Sequence, residues 1–193
     1  MWNNRSVSPE AREDTHLRVA ISGRSGCGNS TVSKLVAKKL GVRMINYTFR
    51  TLAEEQGVSF AEMRRLAEED DKWDKLVDER QREMALEGSC VLGSRLAVWV
   101  LKAEADLKVF LDASEEERAR RIQKREGGTF EEKLKETRLR DHNDHQRYLK
   151  LYGIDNNDYR FCDLIVDTER HTPEEIATLI AETARALESP GAE

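Results

Sequence analysis

A chain of 193 residues is long enough for one domain with a sizeable core. Charged residues make up 36%, yet 37 acids against 32 bases leave a formal net charge of −5, which argues against a surface built to bind nucleic acid. Three scattered cysteines, Cys27, Cys90 and Cys162, are odd in number and lack CxxC spacing, so they indicate neither a disulfide framework nor a zinc site and suit a reducing cytoplasm.

Residues 1–16 are polar and include SVSPEARED, as expected of a flexible leader ahead of a single domain over 17–193; the tail ESPGAE is expected to fray. Nothing reads as a signal peptide or as an apolar run long enough to cross a bilayer. The first strand is expected at Leu17-Arg18-Val19-Ala20-Ile21. It runs into ISGRSGCGNST, where Gly23 and Gly28 have the spacing of a phosphate-binding loop and Ser30 and Thr31 follow, but Asn29 stands where that pattern has lysine. Gly23, Gly26 and Gly28 let the backbone expose consecutive N–H groups to an anion. Val32, Leu35, Val36 and Leu40 then fall at helical spacing, and a helix N-terminus adds free donors and positive dipole to the same place. Gly23, Arg24, Ser25, Gly26, Cys27, Gly28, Asn29, Ser30 and Thr31 are therefore the candidate phosphate site; the plain alternative is an ordinary strand-to-helix turn.

Four more compact apolar runs read as strands: VRMIN at 42–46, SCVLG at 89–93, DLKVFLDA at 106–113 and DLIVDT at 163–168. Helical patterns separate them, so the fold class is α/β, a five-stranded parallel sheet wrapped by helices. Two helical stretches exceed what crossovers need. Residues 48–87 carry turn signals at Gly57-Val58-Ser59 and Asp70-Asp71, and residues 114–151 break at Glu126-Gly127-Gly128-Thr129; both are candidate insertions, one for substrate and one as a lid spanning about 118–150.

Arginine is the side chain suited to phosphates, because its planar fork donates in pairs and stays charged. Arg50 follows the second strand and Arg95 the third, at the carboxyl ends where open α/β sheets place ligands. Arg118, Arg121 and Arg125 share one helical stripe; Arg140, Asp144 and Arg147 share another, with the acid placed to hold an arginine. The bland reading of each is a solvated face with weak ion pairs. In AEEDDKWDKLVDE, Asp74 and Asp78 fall four apart, and Asp78 or Arg80 is a candidate for base recognition. His142 and His145 lie three apart with no third ligand at convincing spacing, so they read as a solvated pair rather than a metal site.

Taken in order, ISGRSGCGNSTVSKLVAKKLG, NYTFRTLAEEQGVSFAEM, DKLVDERQ, VLGSRLAVWV, ADLKVFLDASEEERARRIQKREG and ETRLRDHNDHQRYLKLYGIDNNDY…CDLIVDT resemble the archaeal-type cytidylate kinases across about residues 18–185. The resemblance implies a nucleoside-monophosphate kinase fold with core, monophosphate-binding region (about 48–87) and lid, transferring the γ-phosphate of ATP, with Mg²⁺, to CMP or dCMP. Members of that family commonly carry a residue other than lysine where Asn29 stands, so its absence does not by itself mean inactivity. On this reading Gly23 to Thr31 cradle the β- and γ-phosphates, with Asn29 donating through its amide and Ser30 placing its hydroxyl on Mg²⁺. Arg50, Arg95, Asp78 and Arg80 serve CMP. Arg121, Arg125, Arg140 and Arg147 close over the transferring group. The expected partners are small nucleotides, with no nucleic acid or membrane, for a monomer. Gly93-Ser94-Arg95 departs from the usual Glu-Gly-Arg, and Tyr47-Thr48 from a frequent Gly-Asp pair, both near the expected acceptor pocket. The open alternatives are a kinase of another acceptor such as AMP or UMP, or a nucleotide-binding regulator.

Overall fold

The computed structural model describes residues 16–188; the expectations for the leader and tail otherwise fall outside the described residues. In chain order the elements are β1 (Arg18–Gly23), α1 (Asn29–Leu40), β2 (Arg43–Ile45), α2 (Phe49–Glu55), α3 (Phe60–Glu69), α4 (Lys72–Leu86), β3 (Cys90–Gly93), α5 (Ala97–Val100), β4 (Leu107–Asp112), α6 (Glu115–Glu126), α7 (Phe130–Tyr152), β5 (Leu164–Asp167) and α8 (Pro173–Glu188). The five strands form one sheet in the order β2-β3-β1-β4-β5, and every pairing is parallel.

Alternation along the strands builds two layers. Leu17, Val19 and Ile21 at and in β1, with Val91, Val109 and Leu111, pack beneath α1 and α8 against Val32, Val36, Ile176 and Ile180. Ala20, Cys90 and Leu92 face the other way, toward Ile45, Leu96, Val98 and Leu101. The region after β2 has a core of its own: Tyr47, Leu52, Ala53, Met63 and Val77 close α2, α3 and α4 around one another. Ser59 caps α3 through the backbone N–H of Glu62, which is why the turn signal after Gly57 marks a helix start.

The chain leaves β1 toward β2 and β3, and leaves β3 toward β4 and β5. The carboxyl ends of β1 and β3 therefore flank the switch point of the sheet, where a ligand crevice opens. Beyond β4, α6 and α7 form a helical hairpin. Its turn uses Gly127 and Gly128 at φ 78° and 85°, and Thr129 with Glu132 makes a reciprocal cap on α7.

A single guanidinium joins hairpin, loop and sheet. Arg118 on α6 has 0% relative exposure. It donates to both carboxylate oxygens of Asp141 on α7 at 3.1 and 2.6 Å, to the Ser25 carbonyl at 3.2 Å and to the Ala113 carbonyl at 3.3 Å. Removing one partner of a buried pair leaves the other charge uncompensated. Asp141→Ala is expected to cost about 3 kcal/mol in urea unfolding, while Asp141→Asn, which still accepts a hydrogen bond, is expected to cost less.

Candidate active site

The loop between β1 and α1 is shaped by glycine where side chains are excluded. Gly26 sits at φ 91°, and a Cβ there would lie 2.8 Å from the Cβ of Arg118. Gly28, at φ 87°, precedes α1 with no side-chain cap, and no acid lies in the helix's first turn. The first-turn amides and the helix dipole therefore present an anion site with no carboxylate competing for it. Cys27 packs inside the loop, and burial pushes its thiol up to about 11, so it stays protonated at neutral pH.

A cavity of about 560 Å³ opens over this loop, within the usual range for a ligand pocket. Its lining includes every candidate from Gly23 to Thr31, together with Arg95, Arg121 and Arg125. Arg121 is held by Glu117 at 2.9 Å, by the Thr168 hydroxyl at 2.9 Å and by the Thr168 carbonyl at 2.8 Å. Arg140 reaches in from α7 and donates to the Ser25 hydroxyl at 2.8 Å. Arg95 meets Asp144 of α7 through contacts of 2.8 and 2.6 Å, so the acid of the second stripe holds an arginine from β3's end rather than one on its own helix. Burial raises the Asp144 carboxyl above its ordinary range, and the Arg95 charge opposes that.

The remaining candidates lie apart from this cavity. Arg147 is bonded to Asp74 and to the Ala67 carbonyl, on the α3–α4 side. Arg50 stacks over the Phe60 ring at 4.8 Å, and Arg80 pairs with Glu83 on an exposed face. Asp78 accepts from the Tyr152 hydroxyl at 2.5 Å. Arg118, which shares the stripe of Arg121 and Arg125, is instead sequestered beneath the loop. The Asn29 side chain also differs from expectation. Its Nδ2 donates to the carbonyls of Ile21 and Ser94, both at 3.1 Å, which leaves no amide hydrogen for a phosphate.

Thr168, His171, Pro173 and Ile176 also line the cavity and are not among the candidates. They follow β5, so the signal available was position: another carboxyl end on the same edge of the sheet. Among the described residues no cluster of three metal-ligating side chains occurs, and no helix is long and apolar enough to cross a membrane.

A parallel sheet with a glycine loop at its switch point, entering a helix beneath converging arginines, defines the phosphate-loop kinase class. Shikimate kinase from Bacteroides thetaiotaomicron shares this fold with a TM-score of 0.61 at 16% identity, over 88% of this chain and 98% of that one. A family model described as "Cytidylate kinase-like family" matches residues 18–170, and the chain belongs to that family. It is 44% identical over 168 residues to cytidylate kinase 2 of Borreliella burgdorferi, covering 85% of this chain and 93% of the relative. It is 39% identical over 177 residues to the cytidylate kinase of Pyrococcus horikoshii, covering 91% and 92%.

Asp78 carries a pH-dependent stability term. Burial pushes its carboxyl up to about 6, with the Tyr152 hydrogen bond opposing. A folded value above the unfolded one, about 3.9, means that the folded state takes up a proton first. The resulting stability is complete below pH 4 and is lost as pH rises through 6. Asp78→Asn is thus expected to unfold later in urea by roughly 2 kcal/mol at pH 8 and to show no such gain at pH 4.

Proposed function

We propose that this chain is an ATP-dependent phosphotransferase acting on CMP or dCMP, working as a monomer in the cytoplasm. The observation that carries the reading is the convergence of Arg95, Arg121 and Arg125 on one cavity over the glycine loop, in a chain of the cytidylate kinase-like family. The loop amides from Gly23 to Thr31 would cradle the β- and γ-phosphates of ATP, and the cavity beyond, lined by Thr168, His171, Pro173 and Ile176, would take the nucleoside part. Arg95 and Arg50, at the ends of β3 and β2, would hold the acceptor phosphate. Asp78 or Arg80 on α4 would face its base.

The transferred group develops charge on its oxygens, and Arg121, Arg125 and Arg140 would neutralise it from the lid. Arg147 would join them after releasing Asp74. The acceptor oxygen is already ionised, so positioning rather than a general base does the work. Among the described residues no carboxylate lines the cavity, and Ser30 stands exposed at the start of α1, so Mg²⁺ is expected to be held by Ser30 with nucleotide oxygens and water. Bound there, it would offset phosphate charge. Three free thiols among the described residues, Cys27, Cys90 and Cys162, support a reducing compartment.

The test is ADP release from purified protein with ATP, Mg²⁺ and each of CMP, dCMP, UMP, AMP and GMP. Turnover selective for CMP or dCMP is expected, and a preference for AMP would overturn the acceptor assignment. The full engagement of the Asn29 amide favours one second reading, a nucleotide-binding regulator, for which ATP binding without turnover on any acceptor is the signature. Arg95→Ala is expected to lower kcat/KM for CMP by about 10- to 100-fold, the worth of a charge-assisted pair, with ATP affinity nearly unchanged. Equal losses for both nucleotides would remove Arg95 from the acceptor site.

A further inference from the structure

Asn29 stands at the lysine position of the loop, and both ends of its side-chain amide are engaged inside the protein. One Nδ2 serves the carbonyl of Ile21 in β1 and that of Ser94, the first residue past β3. The Oδ1 accepts from the hydroxyl of Ser33, a fully buried residue of α1, at 3.0 Å. Carbonyl oxygens only accept, so the two of them fix which end of the amide faces them. Gly93 makes the space: a Cβ there would lie 2.3 Å from Ser33 Oγ and 3.1 Å from Asn29 Oδ1. One neutral side chain therefore spans β1, β3 and α1 at the switch point.

What it holds is one-sided. The loop has supports of its own, through Cys27 N–H to the Arg24 carbonyl at 3.1 Å and Arg118 to the Ser25 carbonyl at 3.2 Å. The Ser94–Arg95 stretch is tied to β1 by the Ser94 N–H on the Ile21 carbonyl at 3.2 Å and by the Asn29 bridge. The Ser94 hydroxyl is buried with no partner. Losing the bridge leaves the Ser94–Arg95 stretch on one backbone bond and the Arg95–Asp144 pair, while the loop keeps both of its supports.

We infer that Asn29 is a positioning residue for the acceptor side of the reaction: it fixes the separation between the phosphate loop and Arg95, and thereby between the two phosphates that must meet. The inference rests on the proposed acceptor role of Arg95. A lysine at this position would carry charge to the donor phosphates; this asparagine acts on the opposite substrate, and transfer is sensitive to errors of about 1 Å in such spacing.

The test compares wild type, Asn29→Ala and Ser33→Ala by KM for CMP, kcat, and calorimetric affinity for a non-hydrolysable ATP analogue. Asn29→Ala is expected to raise KM for CMP about tenfold and to lower kcat, while affinity for the ATP analogue stays within about threefold. Ser33→Ala, which removes only the hydroxyl that orients the amide, should move the same quantities in the same direction by less. A general structural defect would instead weaken both nucleotides together, and that result, or a loss confined to the ATP analogue, overturns the inference. If Asn29→Ala does not fold, the same comparison in Ser33→Ala decides. Wild-type inactivity on CMP would overturn the proposed function; parallel losses in an active wild type overturn only the role of Asn29.

Discussion

The arrangement depends on one desolvated guanidinium. Arg118 is unexposed, and its partners come from the glycine loop, the end of β4 and the far helix of the α6–α7 hairpin. Because the donors of a guanidinium lie in one rigid plane, satisfying them together fixes those three segments relative to one another. Gly26 follows from the same contact, since the loop passes too close to Arg118 to carry a side chain there. The anion site is therefore supported from below by a charge that never meets the anion.

The two insertions are attached to the core by different physics. The α2–α4 region buries apolar side chains of its own, which gives it internal rigidity. Of α7, only Thr137 is fully buried; Tyr148 and Tyr152 pack against the core at its C-terminal end, the buried Arg118 holds Asp141, and the partly exposed pairs Arg95–Asp144, Arg147–Asp74 and Arg138–Glu115 tie down the rest. Segments held by partly exposed ion pairs open at lower cost than segments held by buried apolar area.

The strands were legible because each is a short apolar run bounded by charge or glycine. DLKVFLDA, for example, contains β4 at Leu107–Asp112 with one residue to spare at each end. The loop was legible because glycine spacing is a local signal. The partners of its arginines were not: Arg95 and Asp144 lie 49 residues apart, and the stripe that grouped Arg118 with Arg121 and Arg125 could not show that two carbonyls and Asp141 converge on the first alone. Helical periodicity gives a face but not what covers it. The two departures at Asn29 and Gly93 read as separate changes along the chain, yet they meet in space, since the amide and Ser33 occupy the room a side chain at 93 would need.

The pairing of Arg95 with Asp144 also bears on how an anion would enter the acceptor side. On the acceptor reading, an incoming phosphate does not meet bare cations surrounded by salt; it exchanges with a carboxylate already in place. Few ions pass to the solvent in such an exchange, so affinity falls less steeply with ionic strength than the number of arginines suggests. On that reading the displaced Asp144 would remain tethered beside the bound anion, and its repulsion would be greatest once the product carries its second phosphate. The same acid would thus act as a built-in competitor for Arg95 that favours release of the product.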